Sequence, residues 1–365
     1  MPAWTWRVTL AVVGLLVAGC PEPPAEIPDC GDDTLATQPP LDMADVVAVG
    51  PMGYVDPPRG PVFPGTAISL FLRPQDPRLP GGDPARSPVV APVRLWVHHV
   101  WRFMSINGGR PAEFSIEARS CKQVTWRFDH LTSLTPALAK PLEIASGSGV
   151  DCFDTGGPDT FRCGASVAAL EIAPGETLGL AGNWANKALD VSVRDSRVPP
   201  VVFANADRSQ WTCPMDAFVP SIGDALRALP STPDGRRRTV SPLCGDYMQD
   251  VPGTAAGNWG GPLSGLALVH DNVDPGTGVI SVSAGLNSGR WRFPATGSGT
   301  VNRDFRQISG DDTVFCYDAS AGGDLPGIVL IQLTGDGLLV FEQQPIAGCG
   351  SGPWDFTDNR QSFLR

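Results

Sequence analysis

Histidine is scarce in this chain, at four residues, and the spacing of those four limits the chemistry open to them. His98 and His99 are neighbours on a strand-like run, so they face opposite sides and cannot both ligate one metal from there. His130 ends an alternating run in which Val124, Trp126, Phe128 and His130 share one face. That places it on the apolar side, either as a buried, hydrogen-bonded histidine or as part of a binding groove. His270 opens a strand-to-turn corner, His270-Asp271-Asn272. Histidines scattered in this way argue against a histidine-based zinc site. The acidic pairs Asp311 and Asp312, Asp271 and Asp274, and Asp246 and Asp250 offer oxygen atoms to a cation, but none has the spacing of a calcium loop, and they read as solvated turns. No serine sits in a Gly-x-Ser-x-Gly elbow, and Ser264 is a loop serine. Most of the ten tryptophans read as core anchors; Trp184 and Trp259, each in a Gly/Asn-rich turn, are the exposed candidates for stacking on a sugar.

Cysteine chemistry points to the compartment. Residues 1–20 read MPAWTWRVTLAVVGLLVAGC, with Arg7 ahead of an apolar run over 8–17. That run is too short for a membrane span, which needs about 20 residues, and has the form of an export signal. Val17-Ala18-Gly19-Cys20 resembles the lipobox of bacterial lipoproteins, which implies a signal peptide over 1–19 and lipidation of Cys20; an ordinary secretory signal is the alternative. Pro21 follows Cys20 where some lipoproteins carry an inner-membrane retention aspartate, so an outer-membrane anchor is favoured. Residues 20–45, rich in Pro and acid, read as a tether. Of nine cysteines, setting Cys20 aside leaves an even number, which in an exported chain argues for disulfides. No Cys-x-x-Cys occurs. Eight cysteines allow 105 pairings. Proximity favours Cys152–Cys163, Cys213–Cys244 and Cys316–Cys349, with Cys30–Cys121 as the remainder.

The elements that must position these groups are strands. Glycine (42) and proline (37) are abundant, while a hydrophobic content of 42% is enough for a core and excludes disorder over the whole length. A net charge of −11 without a basic tract argues against nucleic acid as a partner. Strand-like runs cover 66–72, 92–104, 113–118, 123–130, 177–180 and 189–193. Residues 209–243 form a connector with one helix over 219–229. From 244 to 365, strands return every ten residues or so, at 266–271, 278–283, 289–293, 299–308, 313–318, 327–333 and 337–343, as in a sandwich or small barrel. The expected fold is mainly β, with two β domains joined by a short helical segment.

Two segments then carry a family resemblance. Val124-Thr-Trp-Arg-Phe-Asp-His-Leu resembles the His-Leu strand of lysostaphin-like zinc endopeptidases, the duplicated hybrid motif enzymes that cut peptide crosslinks of peptidoglycan. Ile172-Ala-Pro-Gly-Glu-Thr-Leu-Gly-Leu-Ala-Gly resembles their Val-x-x-Gly-Gln-x-Ile-Gly-x-x-Gly turn, with Gly175, Gly179 and Gly182 at the glycine positions. Ala188-Leu-Asp-Val-Ser-Val follows where the family has His-x-His-Phe-Glu-Val. The implied peptidase-like domain spans 46–208. It is similar to exported proteins that fuse such a domain to a C-terminal β domain bearing the Cys244-to-Thr254 segment. The family binds zinc through an early His and Asp and the second His of His-x-His. Here the early stretch 57–67 has no His, Asp56 fits poorly, and Ala188 and Asp190 replace the pair. Only His130 matches a family catalytic position. The resemblance therefore implies a degenerate, metal-free domain without a cofactor. It would act as a cell-envelope lipoprotein that binds or scaffolds peptidoglycan or a protein partner, with Trp184 and Asp190 as binding candidates. The alternatives are a zinc endopeptidase with atypical ligands such as Asp190 and His130, or a purely structural lipoprotein.

Overall fold

The computed structural model describes residues 26–31, 35–57, 61–76, 82–105, 111–145, 151–154, 160–199, 210–261, 264–284, 288–319, 325–335 and 337–365. The signal segment and Cys20 lie outside these residues. The protein is mainly β, and every pairing between named strands is antiparallel. No helix among the described residues is long and apolar enough to cross a membrane.

The first sheet runs β1 (Val46–Gly50), β2 (Ile68–Leu72), β10 (Ala188–Asp195), β6 (Val124–Leu134), β5 (Glu113–Arg119), β4 (Leu95–Ser105), β8 (Thr160–Ile172) and β7 (Asp151–Asp154) in spatial order. Off this path, β9 (Thr177–Ala181) pairs with β6, β3 (Ser87–Val90) with β9, and β11 (Trp211–Thr212) with β10. Alternation sends Val124, Trp126 and Phe128 inward, where they meet Ile116, Ala118, Val191 and Val193. Trp126 stacks along Phe128 at 6.2 Å and meets the edge of Phe218 at 5.5 Å between ring centroids.

The C-terminal part is a sandwich. One sheet holds β12 (Gly257–Gly261), β13 (Ser264–His270), β14 (Thr277–Ala284) and β15 (Gly289–Pro294); the other holds β16 (Val314–Asp318), β17 (Ile328–Leu333), β18 (Leu339–Gln344) and β19 (Gln361–Phe363). Leu268, Ile280, Trp291 and Phe293 of one sheet share a core with Tyr317, Ile331 and Phe341 of the other.

Several expectations need correction. Residues 299–308 are not a strand: Asn302 adopts φ 53° and Asp304 accepts from the Arg306 amide, which winds Phe305–Gln307 into a 3-10 turn that plugs Phe305 and Ile308 into the core. A second helix, α1 (Pro136–Ala145), forms although Pro141 lies inside it and removes a hydrogen-bond donor. The connector helix, α2 (Pro220–Ala228), starts on a proline at its first position and ends before Leu229. Connector residues Met215, Phe218 and Leu226 belong to the first core and do not span a gap between domains. The described part of the 20–45 stretch is docked: Ala36 and Leu41 are buried, the Ala36 amide donates to Ala217, and Val90 donates to Pro40. A few apolar side chains override the proline-rich composition. Trp259 is buried, with its Nε1 on the Ala255 carbonyl, and is not a surface aromatic.

Cys30–Cys121, Cys213–Cys244 and Cys316–Cys349 are bonded. Cys163 is also disulfide-bonded, and it stands opposite Cys152 in the β7–β8 register.

Candidate functional site

The site grows from a bulge in β6. Ile116 pairs with Phe128 and Phe114 with Leu131, so Asp129 and His130 together oppose Ser115. His130 takes up the extra residue with φ 71°, a left-handed conformation that a side chain adopts only at some cost. The bulge resets the alternation: burial passes from Phe128 to Leu131. The expectation that His130 lies on the apolar face is therefore wrong, because an unbroken period of two does not survive the extra residue.

His130 lies instead between two carboxylates from neighbouring strands. Its Nδ1 is 2.8 Å from Glu113 Oε2 on β5, and its Nε2 is 3.5 Å from Asp190 Oδ2 on β10. Strand register sets Asp190 opposite Ser69, whose hydroxyl donates to Asp190 Oδ1 at 2.6 Å. Burial works against a charged His130, but hydrogen bonds to Asp190 and Glu113, and their charges, lift its pKa well above the ordinary histidine value. The shift favours the imidazolium, the form that can donate from both ring nitrogens toward Glu113 and Asp190. Next to it, burial works against the Asp129 charge. The charges of Arg127 and His130 and hydrogen bonds from Ser115 and Arg127 outweigh this and lower its pKa.

This arrangement floors a cavity of about 780 Å³ between the two β units. Ser69, Phe71, Glu113, His130 and Asp190 form one wall, and Asp56, Asp271, Arg290 and Arg292 line the other. Arg290 pairs with Asp56 at 3.0 Å and donates to the Val55 carbonyl; Arg292 pairs with Asp271 at 2.6 Å. The stretch in which the family's early ligands would fall packs on the C-terminal sheet. Val55 sits among Ala267, Val269 and Val279, and Ser281 donates to the Val62 carbonyl at 2.6 Å. Residues 58–60 of that stretch lie outside the described residues.

Asp190 and Trp184, the two binding candidates, do not meet. Trp184 is 58% exposed and lines a separate depression with Arg73 and Arg86, while Ala185 and Asn186 of the same turn line the His130 cavity. Ala188 is buried and faces Phe71 in register. His98 contacts Glu117 at 2.9 Å, and His270 lies between the Pro275 carbonyl and Asp304.

A zinc ion does not fit these residues. A ligating imidazole needs a nitrogen lone pair, and both nitrogens of His130 face carboxylates, which favour a proton at each. Asp190 then stands alone at a ligand position, against the three protein ligands a catalytic zinc needs. Among the described residues no group of three or more His, Cys, Asp or Glu is placed to hold a metal ion. Glu113 and the arginine wall escaped the sequence reading. Glu113 begins an alternating run, but only the register of the bulged strand shows that it reaches His130. No known protein family, curated protein or solved structure matches the chain.

Proposed function

We propose that this chain is a lipoprotein of the bacterial cell envelope, anchored through Cys20, whose interdomain cavity binds peptide segments of peptidoglycan without cleaving them. The supporting observation is the Glu113–His130–Asp190 bridge, which ties the histidine at the resembled catalytic position to two carboxylates. An imidazolium with both nitrogens donating cannot act as a base toward water. It can orient a carboxylate or carbonyl, and the adjacent Glu113 and Asp190 oxygens can accept from an amine. Crosslink peptides carry all of these groups.

The test combines metal content, cleavage and retention on purified sacculi, using residues 21–365. The expected result is far less than one zinc per chain, no released peptide, and co-sedimentation that falls several-fold in Asp190→Asn. Stoichiometric zinc, with peptide release abolished by Asp190→Ala or His130→Ala, would overturn the reading. So would co-sedimentation unaffected by Asp190→Asn.

A further inference from the structure

The turn joining β9 to β10 carries a tryptophan on the surface, and its construction is specific. Asn183 Oδ1 accepts from the Ala185 and Asn186 amides at 2.8 and 2.7 Å, and the Asn183 amide donates to the Asn186 carbonyl. These bonds tie the turn down and hold the indole out from it, so the exposure of Trp184 belongs to an anchored loop. Leaving Trp184 58% exposed gives up the apolar burial that favours tryptophan in cores.

The depression beside Trp184, of about 580 Å³, is separate from the His130 cavity. Around it stand Arg73, Gln75, Asp83, Arg86 and Asn183, a set dominated by planar polar groups. Arg73 is partly committed to Asp45 at 2.9 Å. Arg86 is exposed and forms no ion pair among the described residues. Asn183 Nδ2 is buried and takes no hydrogen-bond partner, a donor left over after its Oδ1 has fixed the turn. A flat aromatic face ringed by donors that prefer carbonyl or carboxylate oxygen, with Asp83 and Gln75 to accept from hydroxyls, suits one class of ligand. That class is a pyranose, whose C–H face stacks on the indole and whose acetamido or carboxylate substituent meets Arg86.

We infer that Trp184, on the turn fixed by Asn183, and Arg86 form a saccharide site for acetamido- or carboxylate-bearing pyranoses, independent of the His130 cavity. The test is calorimetric titration of residues 21–365 with chitotetraose, with tetragalacturonate, and with cellotetraose as the neutral control. Saturable binding of chitotetraose or tetragalacturonate at millimolar concentration or below is expected, with cellotetraose weaker. Trp184→Ala should weaken it at least ten-fold, equivalent to ~1.4 kcal/mol, and Arg86→Ala several-fold, both with unchanged near-UV circular dichroism. His130→Gln should leave saccharide binding intact, so failure here is separable from failure of the cavity reading. No binding of either substituted sugar, or equal binding by Trp184→Ala, would overturn the inference.

Discussion

Trp126→Ala is expected to destabilise the N-terminal unit by about 3–5 kcal/mol. Trp126 is fully buried and pairs in register with Ala118 of β5 and Val193 of β10. Truncation would open a cavity between the two strands that deliver Glu113 and Asp190 to His130. It would also remove the contact to Phe218, through which the connector joins this core, and would free Ser120 Oγ, which accepts from the indole at 3.2 Å. Because the sandwich core around Trp291 is a separate cluster, the loss should fall on one unit. Urea unfolding should show the N-terminal transition moving to lower denaturant while the C-terminal transition holds. A shift below ~1 kcal/mol, or an equal shift of both transitions, would contradict this packing account.

Removal of the Cys30–Cys121 bridge carries the next largest cost. It closes a sequence separation of 91 residues, and loop-closure entropy for a loop of that length is worth roughly 4–5 kcal/mol. The native state also loses its hold on the N-terminal stretch. Cys30 donates from its amide to Gln123 Oε1, and Lys122 donates to the Pro28 carbonyl. In Cys30→Ser/Cys121→Ser, thermal unfolding should begin well below that of the wild type, and limited proteolysis should cut before residue 35 first. A double variant with wild-type unfolding and protease resistance would show that the stretch is held by its noncovalent contacts alone.

The parts of this structure open to sequence reading were those governed by strict local periodicity. The first half of β6 alternates cleanly, and its positions follow from residue type, whereas β4 is interrupted by a bulge at His98 and β5 buries Ser115 and Ile116 in succession. Cysteine proximity likewise anticipated Cys213–Cys244 and Cys316–Cys349. Where geometry departs from the local period, the reading failed. The bulge at Asp129-His130 turns a residue assigned to the core into the centre of a charged bridge, and only the partner strand reveals the extra residue. β8 was missed because its start lies in the glycine-rich 146–164 stretch, yet it pairs along nearly the whole of β4. The arginine wall belongs to strands placed in the other β unit. Its meeting with Glu113 and Asp190 depends on Val55 and Phe63 docking on β13 and β14, a long-range event that no local pattern records.

The central claim, that His130 is a charged donor locked between Glu113 and Asp190 and not a metal ligand or base, is open to one direct measurement. Its ring proton shifts, assigned with His130→Gln, can be followed by NMR from about pH 5 to about pH 10, with and without equimolar zinc. The raised folded-state pKa gives a definite sign. The stabilisation from the bridge is fully present below the unfolded value of about 6.5 and is lost as pH rises through the folded value. The account predicts that His130 titrates well above the ordinary histidine range and that zinc leaves its shifts unchanged. A neutral His130 at pH 7, with shifts that move stoichiometrically on adding zinc, would contradict it.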